Sequence, residues 1–435
     1  MREFKMAAKI ISKSGSKIVV EVEIDLGSEG MLDKEMAIRT AVNQAGALAT
    51  EEALKSFDAD GEAIVIENRK FTSKGRQNEF YECPYGRIAI ERHVYQNPAG
   101  GKTFCPLEND ARMILNSTPG YAKILSGKYA RNAGKGAAED LFESSGRVAC
   151  PVYIKKIGDF IGAVAEAEHE QWEYELPQFE DEIESVAIGL DGTCMLLCES
   201  GWREAMTGTI SLYNRKGERV YTIYTGAFPE YGKATFLARF DAEIERIKAA
   251  YPDCVYIGTA DGAPDNWKFL NSRTDRQVLD FYHASEYVKL AASTILARRK
   301  SAADEWSENA LHKLKHKHGA AKRLLNDMRW ELENVPVRKR EPLLRAITYF
   351  ANHYRKMNYA RQTRENRPIG SGVTEAACKE LIKQRLCNSG MRWKKAGASA
   401  VIAVRSLIMS EGRWEQFWDK ISKSGCPEHK KYSSI

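Results

Sequence analysis

A chain of 435 residues with 43% hydrophobic and 10% aromatic content exceeds one ordinary core and is too apolar to stay disordered, so two to four folded domains are expected. It has no apolar run long enough to cross a membrane, and Met1–Ile10 lacks the apolar stretch of a secretory signal, so a cytoplasmic protein is expected. The net charge of +6 hides an asymmetry. Leu296 to Lys423 holds 28 Lys/Arg against 13 Asp/Glu, leaving a net −9 on the rest, which points to a polyanion bound by the basic third.

Nine cysteines in an odd, irregular spacing do not form a disulfide framework and suggest a reducing interior. Neither Cys194 with Cys198 nor Cys83 with Cys105 has the second pair of ligands that structural zinc needs.

Residues 1–115 read as an α+β region. The stretch from Lys17 to Asp25 alternates like a half-buried strand, an Ala/Glu/Leu-rich helix follows from about Lys34 to Ser56, and shorter strands are expected at 63–67, 86–95 and 102–104. Asn97-Pro-Ala-Gly-Gly101 reads as a hairpin tip. Residues 116–183 read as helical. Helices near 121–131 and 136–143, a turn at 144–150 and a longer helix from Pro151 to about Glu170 are compatible with helix-turn-helix DNA binding, with Lys155 and Lys156 early in the last helix. The acidic run from Glu166 to Glu184 reads as a linker.

From Glu184 the pattern turns to strands: Val186–Asp191, Glu204–Tyr213, Arg219–Tyr224, Cys254–Ala260 and Gln277–Tyr282, with helices at about 233–250 and 265–271. This order, with carboxylates after the first and fourth strands, predicts an RNase H-like α/β core with a mixed five-stranded sheet over 184–292. A basic helical insertion (293–366) follows, including the clusters at 297–300, 311–318 and 337–340. The C-terminal helices of the core (367–425) and a tail (426–435) complete the chain. His312 and His316 share a helix face at metal-ligand spacing, but no acidic third ligand accompanies them.

Three carboxylates stand out. Asp191 and Asp261 each end an apolar run before a glycine, and Glu375 opens a helix after Gly370-Ser371-Gly372. Strand ends bring the first two to one sheet edge and a packed helix can deliver the third. Such a cluster can hold two hard cations for in-line displacement at phosphate.

Asp191-Gly192, Asp261-Gly-Ala-Pro-Asp-Asn-Trp267, Asp280-Phe-Tyr-His283, Gly370–Glu375 and Arg385-Leu-Cys-Asn-Ser-Gly-Met-Arg-Trp393 resemble insertion-sequence transposases with a DDE triad, of the ISKra and ISLre types within a broader Mutator-like group. The resemblance covers about 184–420, and the first half only in general plan. It implies that Asp191, Asp261 and Glu375 hold two Mg²⁺ or Mn²⁺ ions, Asp191 bridging them. Asp280 and His283 would support the site without chelating, and the insertion would separate the second Asp from the Glu. Water would free a 3′-OH at the element end, and that hydroxyl would then attack target DNA. Double-stranded DNA is the implied partner, a homodimer or higher oligomer the implied assembly, and the bacterial nucleoid the implied place of action. Arg385, Arg392, Lys394 and Lys395 are expected near phosphates, and Trp393 is the candidate to stack on an unpaired base. The zinc-binding cysteines seen in some relatives are missing from the N-terminal half. Two other readings remain: a non-catalytic, transposase-derived DNA-binding protein, and an RNase H-like nuclease or resolvase.

Overall fold

The computed structural model describes residues 7–27, 30–228, 233–297 and 299–434; Arg298, from the first basic cluster of the insertion, lies outside them. Contacts divide the chain into two compact units. One comprises Met1–Tyr174 with Ser399–Ile408 and Gly412–Ile435; the other comprises Glu175–Ala398 with Met409–Glu411.

The first unit begins with an antiparallel hairpin, β1 (Ala8–Ser14) and β2 (Lys17–Val22), packed on the long helix α1 (Met31–Lys55). Strands β3 (Ile64–Ile66), β4 (Arg69–Glu82) and β5 (Arg87–Gln96) form an antiparallel sheet. The 14-residue β4 is a strand that the sequence reading did not delimit: its mostly exposed, polar residues lack the alternation of a half-buried strand. Tyr81 near its end joins Cys83, Ile88, Ile90, Cys105 and Leu107 in a small core, which buries the Cys83 and Cys105 thiols as packing groups. Phe104 pairs with Tyr95 across the turn after β5. The short helix α2 (Pro106–Asp110), which the sequence reading did not delimit, precedes α3 (Pro119–Arg131), α4 (Gly134–Ser145) and α5 (Pro151–Ala167), which follow close to their expected bounds; α2, α3 and α5 open on proline.

The second unit begins in the acidic segment, which carries no regular structure from Glu173 to Glu182. Its sheet comprises β6 (Ile183–Leu197), β7 (Gly201–Asn214), β8 (Arg219–Ala227), β9 (Val255–Ala260) and β10 (Arg276–Leu279) in the order β10-β9-β6-β7-β8. The β6-β7-β8 meander is antiparallel, while β9 and β10 are parallel to β6. The unit is thus mixed α/β with a five-stranded mixed sheet, compatible with an RNase H-like core. β6 is buried continuously from Ser185 to Leu190, as a central strand covered on both faces requires.

Helix α6 (Ala234–Ala250) covers one face. Phe236, Phe240, Ile244 and Ile247 recur at helical spacing and are buried. After α7 (Pro264–Leu270) and β10 come the helices α8 (Phe281–Ile295), α9 (Lys300–His316), α10 (Ala320–Asn334), α11 (Glu341–His353) and α12 (Tyr359–Arg364). Their apolar faces (Leu314, Leu324, Leu325, Met328, Leu343 and Phe350) join the same core as the sheet. The helix α13 (Gly372–Ala377) runs into a π-helical stretch, Cys378–Lys383, and the short α14 (Gln384–Leu386).

The chain ends with α15 (Lys395–Met409), α16 (Arg413–Ser424) and β11 (Tyr432–Ser434). The sequence reading assigned 367–425 to the catalytic core and left 426–435 as a tail. By contacts, 399–408 and 412–435 fold with the first unit, where β11 extends the sheet beside β3. Trp414, Phe417 and Trp418 pack together there and against Trp172. Among the described residues, no helix is long and apolar enough to cross a membrane.

Candidate metal and phosphoryl-transfer site

The pleat of β6 decides what faces what. Gly189 lies opposite Thr209, and Leu190 lies opposite Gly208. A Cβ on Gly189 would fall 2.0 Å from Thr374 Oγ1, whereas one on Gly208 would meet the Phe240 ring. Successive residues point to opposite faces, so α13 and α6 cover opposite sides of the sheet. Asp191, two residues beyond Gly189 and opposite Thr207, therefore faces α13. The Thr209 and Thr374 hydroxyls, 2.7 Å apart and buried, tie that helix to β7.

Asp191 does not end a strand, as the sequence suggested. β6 continues through it to Leu197, pairing Asp191 with Thr207; only the parallel pairing to β9 stops before it, at Gly189. The Gly192 amide donates to its Oδ1 at 2.7 Å. Burial raises the Asp191 pKa and the neighbouring Asp261 charge adds to this, against the Cys378 thiol and the Gly192 amide. Burial pushes the Cys378 thiol itself up to about 12, with the Asp191 charge adding to it. Asp261 follows β9 directly, as expected, and its Oδ1 accepts from the Ala263 amide at 3.2 Å. The Asp261 charge thus reaches Asp191 across the end of the sheet.

The insertion reaches this edge too, which the sequence reading missed. Tyr349 of α11 donates from its hydroxyl to the Asp261 carbonyl at 3.1 Å and stacks on Tyr287 at 3.8 Å. His353 lies against Gly262, and burial, with the nearby Lys356, lowers its pKa. Tyr349 and His353 are four apart on a strongly amphipathic helix, a signal of burial that does not say against what.

The third carboxylate meets other partners. Asp280 and His283 belong to the start of α8, not to the end of a strand through Tyr282 as expected: β10 stops at Leu279 and Asp280 caps the helix. Asp280 is fully buried. Its Oδ1 accepts from the His283 amide at 2.7 Å, and its Oδ2 accepts from the Ser371 amide and, at 2.9 Å, from the Ser371 hydroxyl. That hydroxyl is also 3.1 Å from Glu375 Oε1, and its single proton serves one acceptor at a time. His283 Nδ1 lies 3.4 Å from Asp280 Oδ1 and 3.2 Å from Glu375 Oε1, neither contact aligned as a hydrogen bond. Burial pulls the His283 pKa down, but the two carboxylates outweigh it and the net shift is upward.

Asp280, His283 and Glu375 thus bring three ligand-type atoms within 4.8 Å of one another, buried, half-buried and exposed respectively, and this group could hold a metal ion. Among the described residues Asp191 and Asp261 do not join them at that spacing. Ligands of two ions about 4 Å apart need not converge so tightly.

No protein-family model and no curated protein matches this sequence.

The expected DNA contacts separate into two groups. Arg392, Lys394 and Lys395 are exposed, Lys394 pairing with Glu199 at 2.7 Å. Arg385 and Trp393 are buried, the guanidinium 5.0 Å from the ring centroid, and the Trp393 carbonyl accepts from the Cys198 amide at 2.9 Å. In this structure they pack the core and offer nothing to a base or a phosphate. In the first unit Lys155 and Lys156 are exposed on α5, Lys155 pairing with Asp159. His312 and His316 are exposed with their rings 4.8 Å apart, and among the described residues no third ligand completes a metal site there.

Proposed function

We propose that this chain is a DNA transposase with an RNase H-like core, cutting and joining strands through Asp191, Asp261 and Glu375. The observation that carries the reading is the placement of Asp191 on the central strand beside Asp261, just past the adjacent parallel strand, on the face that the Glu375 helix covers. Asp191 and Asp261 would hold cations at the sheet edge, with Glu375 as the third ligand. Bound there, a pair of hard divalent ions such as Mg²⁺ or Mn²⁺ supplies an activated attacking oxygen and a stabilised leaving oxygen.

The chain's own residues do the positioning. The Gly192 amide orients the Asp191 carboxylate and the Thr209–Thr374 pair fixes the height of Glu375. His283, set by its contact with Asp280, faces Glu375 and steadies its carboxylate. Tyr349, through its hydrogen bond to the Asp261 carbonyl, and His353, against Gly262, would fix the loop that carries Asp261. Arg392 and Lys395, with the exposed cations of the insertion, would hold the DNA backbone, and action on two element ends would require more than one copy of the chain.

The test is cleavage of labelled duplexes that carry the DNA flanking the gene, with Mg²⁺ or Mn²⁺, followed by joining to a target plasmid. Wild type should nick at a defined position and yield joined products, and Asp261→Asn should do neither. Binding without cleavage or joining by the wild type would instead favour a non-catalytic DNA-binding protein.

A further inference from the structure

Helices α9 and α10 follow each other across a turn, Lys317–Gly319, yet they do not close on one another: α9 packs mainly on α8 and α12, and α10 mainly on α11. A cleft of about 510 Å³ is left between them, a size usual for small-molecule sites. Its apolar lining is Trp306, partly buried, with Ala310, Ala320 and Leu324. The polar lining separates along the cleft. Toward the turn stand Lys313, Lys317 and Arg323, all exposed, and among the described residues none of the three forms an ion pair. Arg323 spends one guanidinium N–H on the His318 carbonyl at 2.7 Å, which holds it at the turn with other donors unspent. One turn further along each helix, Asn309, Asn326 and Asp327 offer two amides and a carboxylate.

We propose that this cleft binds one nucleoside phosphate, with its base against Trp306 and its phosphate on Lys313, Lys317 and Arg323. Three uncompensated cations at one end select an anion. The indole selects a flat ring, and stacking on it accepts any base. Asn309, Asn326 and Asp327 supply the acceptors and donors that a base edge or a sugar hydroxyl requires. Trp306 and Lys313 are seven residues apart, about 10 Å along the axis, and helical side chains lean toward the N-terminus, so the ammonium reaches back toward the indole. A paired duplex brings no free base to a cleft of this size. The occupant is therefore a free nucleotide or a nucleotide turned out of DNA, which share this chemistry.

The probe is 2-aminopurine, whose fluorescence is quenched when it stacks on an indole. It is offered as the free deoxynucleoside monophosphate and as a single unpaired base within a duplex, to the full chain with divalent cations chelated so that nothing is cut. At least one form should be quenched saturably. Quenching of the monophosphate marks a soluble ligand, and quenching in the duplex alone marks a nucleotide turned out of DNA. Trp306→Ala should raise the Kd of the quenched form about tenfold or more with unchanged far-ultraviolet circular dichroism, while Trp202→Ala, an exposed indole on β7, should change nothing. If Trp306→Ala loses its dichroism, Lys313→Gln/Lys317→Gln decides: at exposed positions it should fold and still weaken the quenched form about tenfold. No quenching of either form, quenching that survives these substitutions in folded chains, or displacement of the probe by an equal concentration of inorganic pyrophosphate, the mark of a plain anion patch, would overturn the proposal. Cleavage plays no part in this readout, so it stands or falls separately from the catalytic reading.

Discussion

Gly189 sets how closely the Glu375 helix approaches the sheet, because even a methyl group there would strike the Thr374 hydroxyl. Gly189→Ala should therefore cost about 1–3 kcal/mol of stability, as overpacking does, and lower metal-dependent cleavage by more than the lost stability explains. Adding Thr374→Ala removes the struck oxygen and should return part of both, a coupling that a double-mutant cycle reads directly. Asp280 makes a second prediction. Its buried carboxylate accepts from Ser371 and from the His283 amide, so Asp280→Ala strands those donors and should cost about 2–4 kcal/mol in denaturant melts, with Asp280→Asn costing less. At this scale the sequence was half legible. Asp261 and Glu375 stood out because apolar runs and glycines frame them. Asp191 was found but misplaced, since Gly192 reads as a turn although the strand continues through it with alternate residues exposed. Arg385 and Trp393 were misread because the cations at 392, 394 and 395 suggest a wet surface, while the contact that buries the pair spans residues with no periodic relation.

Among elements, Glu365 joins β10, the end of α12 and the segment beyond it, through Arg276, Arg361 and Arg367. Burial alone would raise its pKa, but the hydrogen bonds from Arg276 and Arg361 and the nearby charges outweigh this and lower it to about 2. A carboxylate depressed on folding contributes stability that is complete above its unfolded value of about 4.5 and disappears as pH falls through about 2. Wild type should therefore lose stability between these limits. Glu365→Gln should start about 1 kcal/mol lower at neutral pH, a figure kept small for a partly exposed network, and show a shallower acid limb in melts against pH. The order of strands and helices in the second unit was readable from apolar runs and turn residues. The start of α8 was not: Val278–Tyr282 is one apolar run, and Asp280 ends the strand by capping a helix in the middle of it.

For the whole molecule, the return of the C-terminus to the first unit was invisible in the sequence, where α15 and α16 read as a continuation of the core's C-terminal helices. Burial of Phe417 among Trp172, Trp414 and Trp418 implies that Phe417→Ala should cost about 3–5 kcal/mol. Melting followed by hydrogen exchange should show the loss in the first unit and spare the five-stranded sheet. On the proposed reading, the basic surplus of Leu296–Lys423 should make DNA affinity fall with salt. Neutralising Arg392 and Lys395 together should flatten the logarithmic slope by about 2 if both touch phosphates, and Trp393→Ala should lower stability without altering that slope.

The most direct test of the catalytic reading is to count and locate Mn²⁺ on the DNA-bound chain, by electron paramagnetic resonance and anomalous diffraction. The account predicts two ions at the sheet edge, one touching both Asp191 and Asp261, both lost in Asp191→Asn and at least one retained in His283→Ala. A single ion held by Asp280, His283 and Glu375, indifferent to Asp191→Asn and lost in His283→Ala, would contradict it.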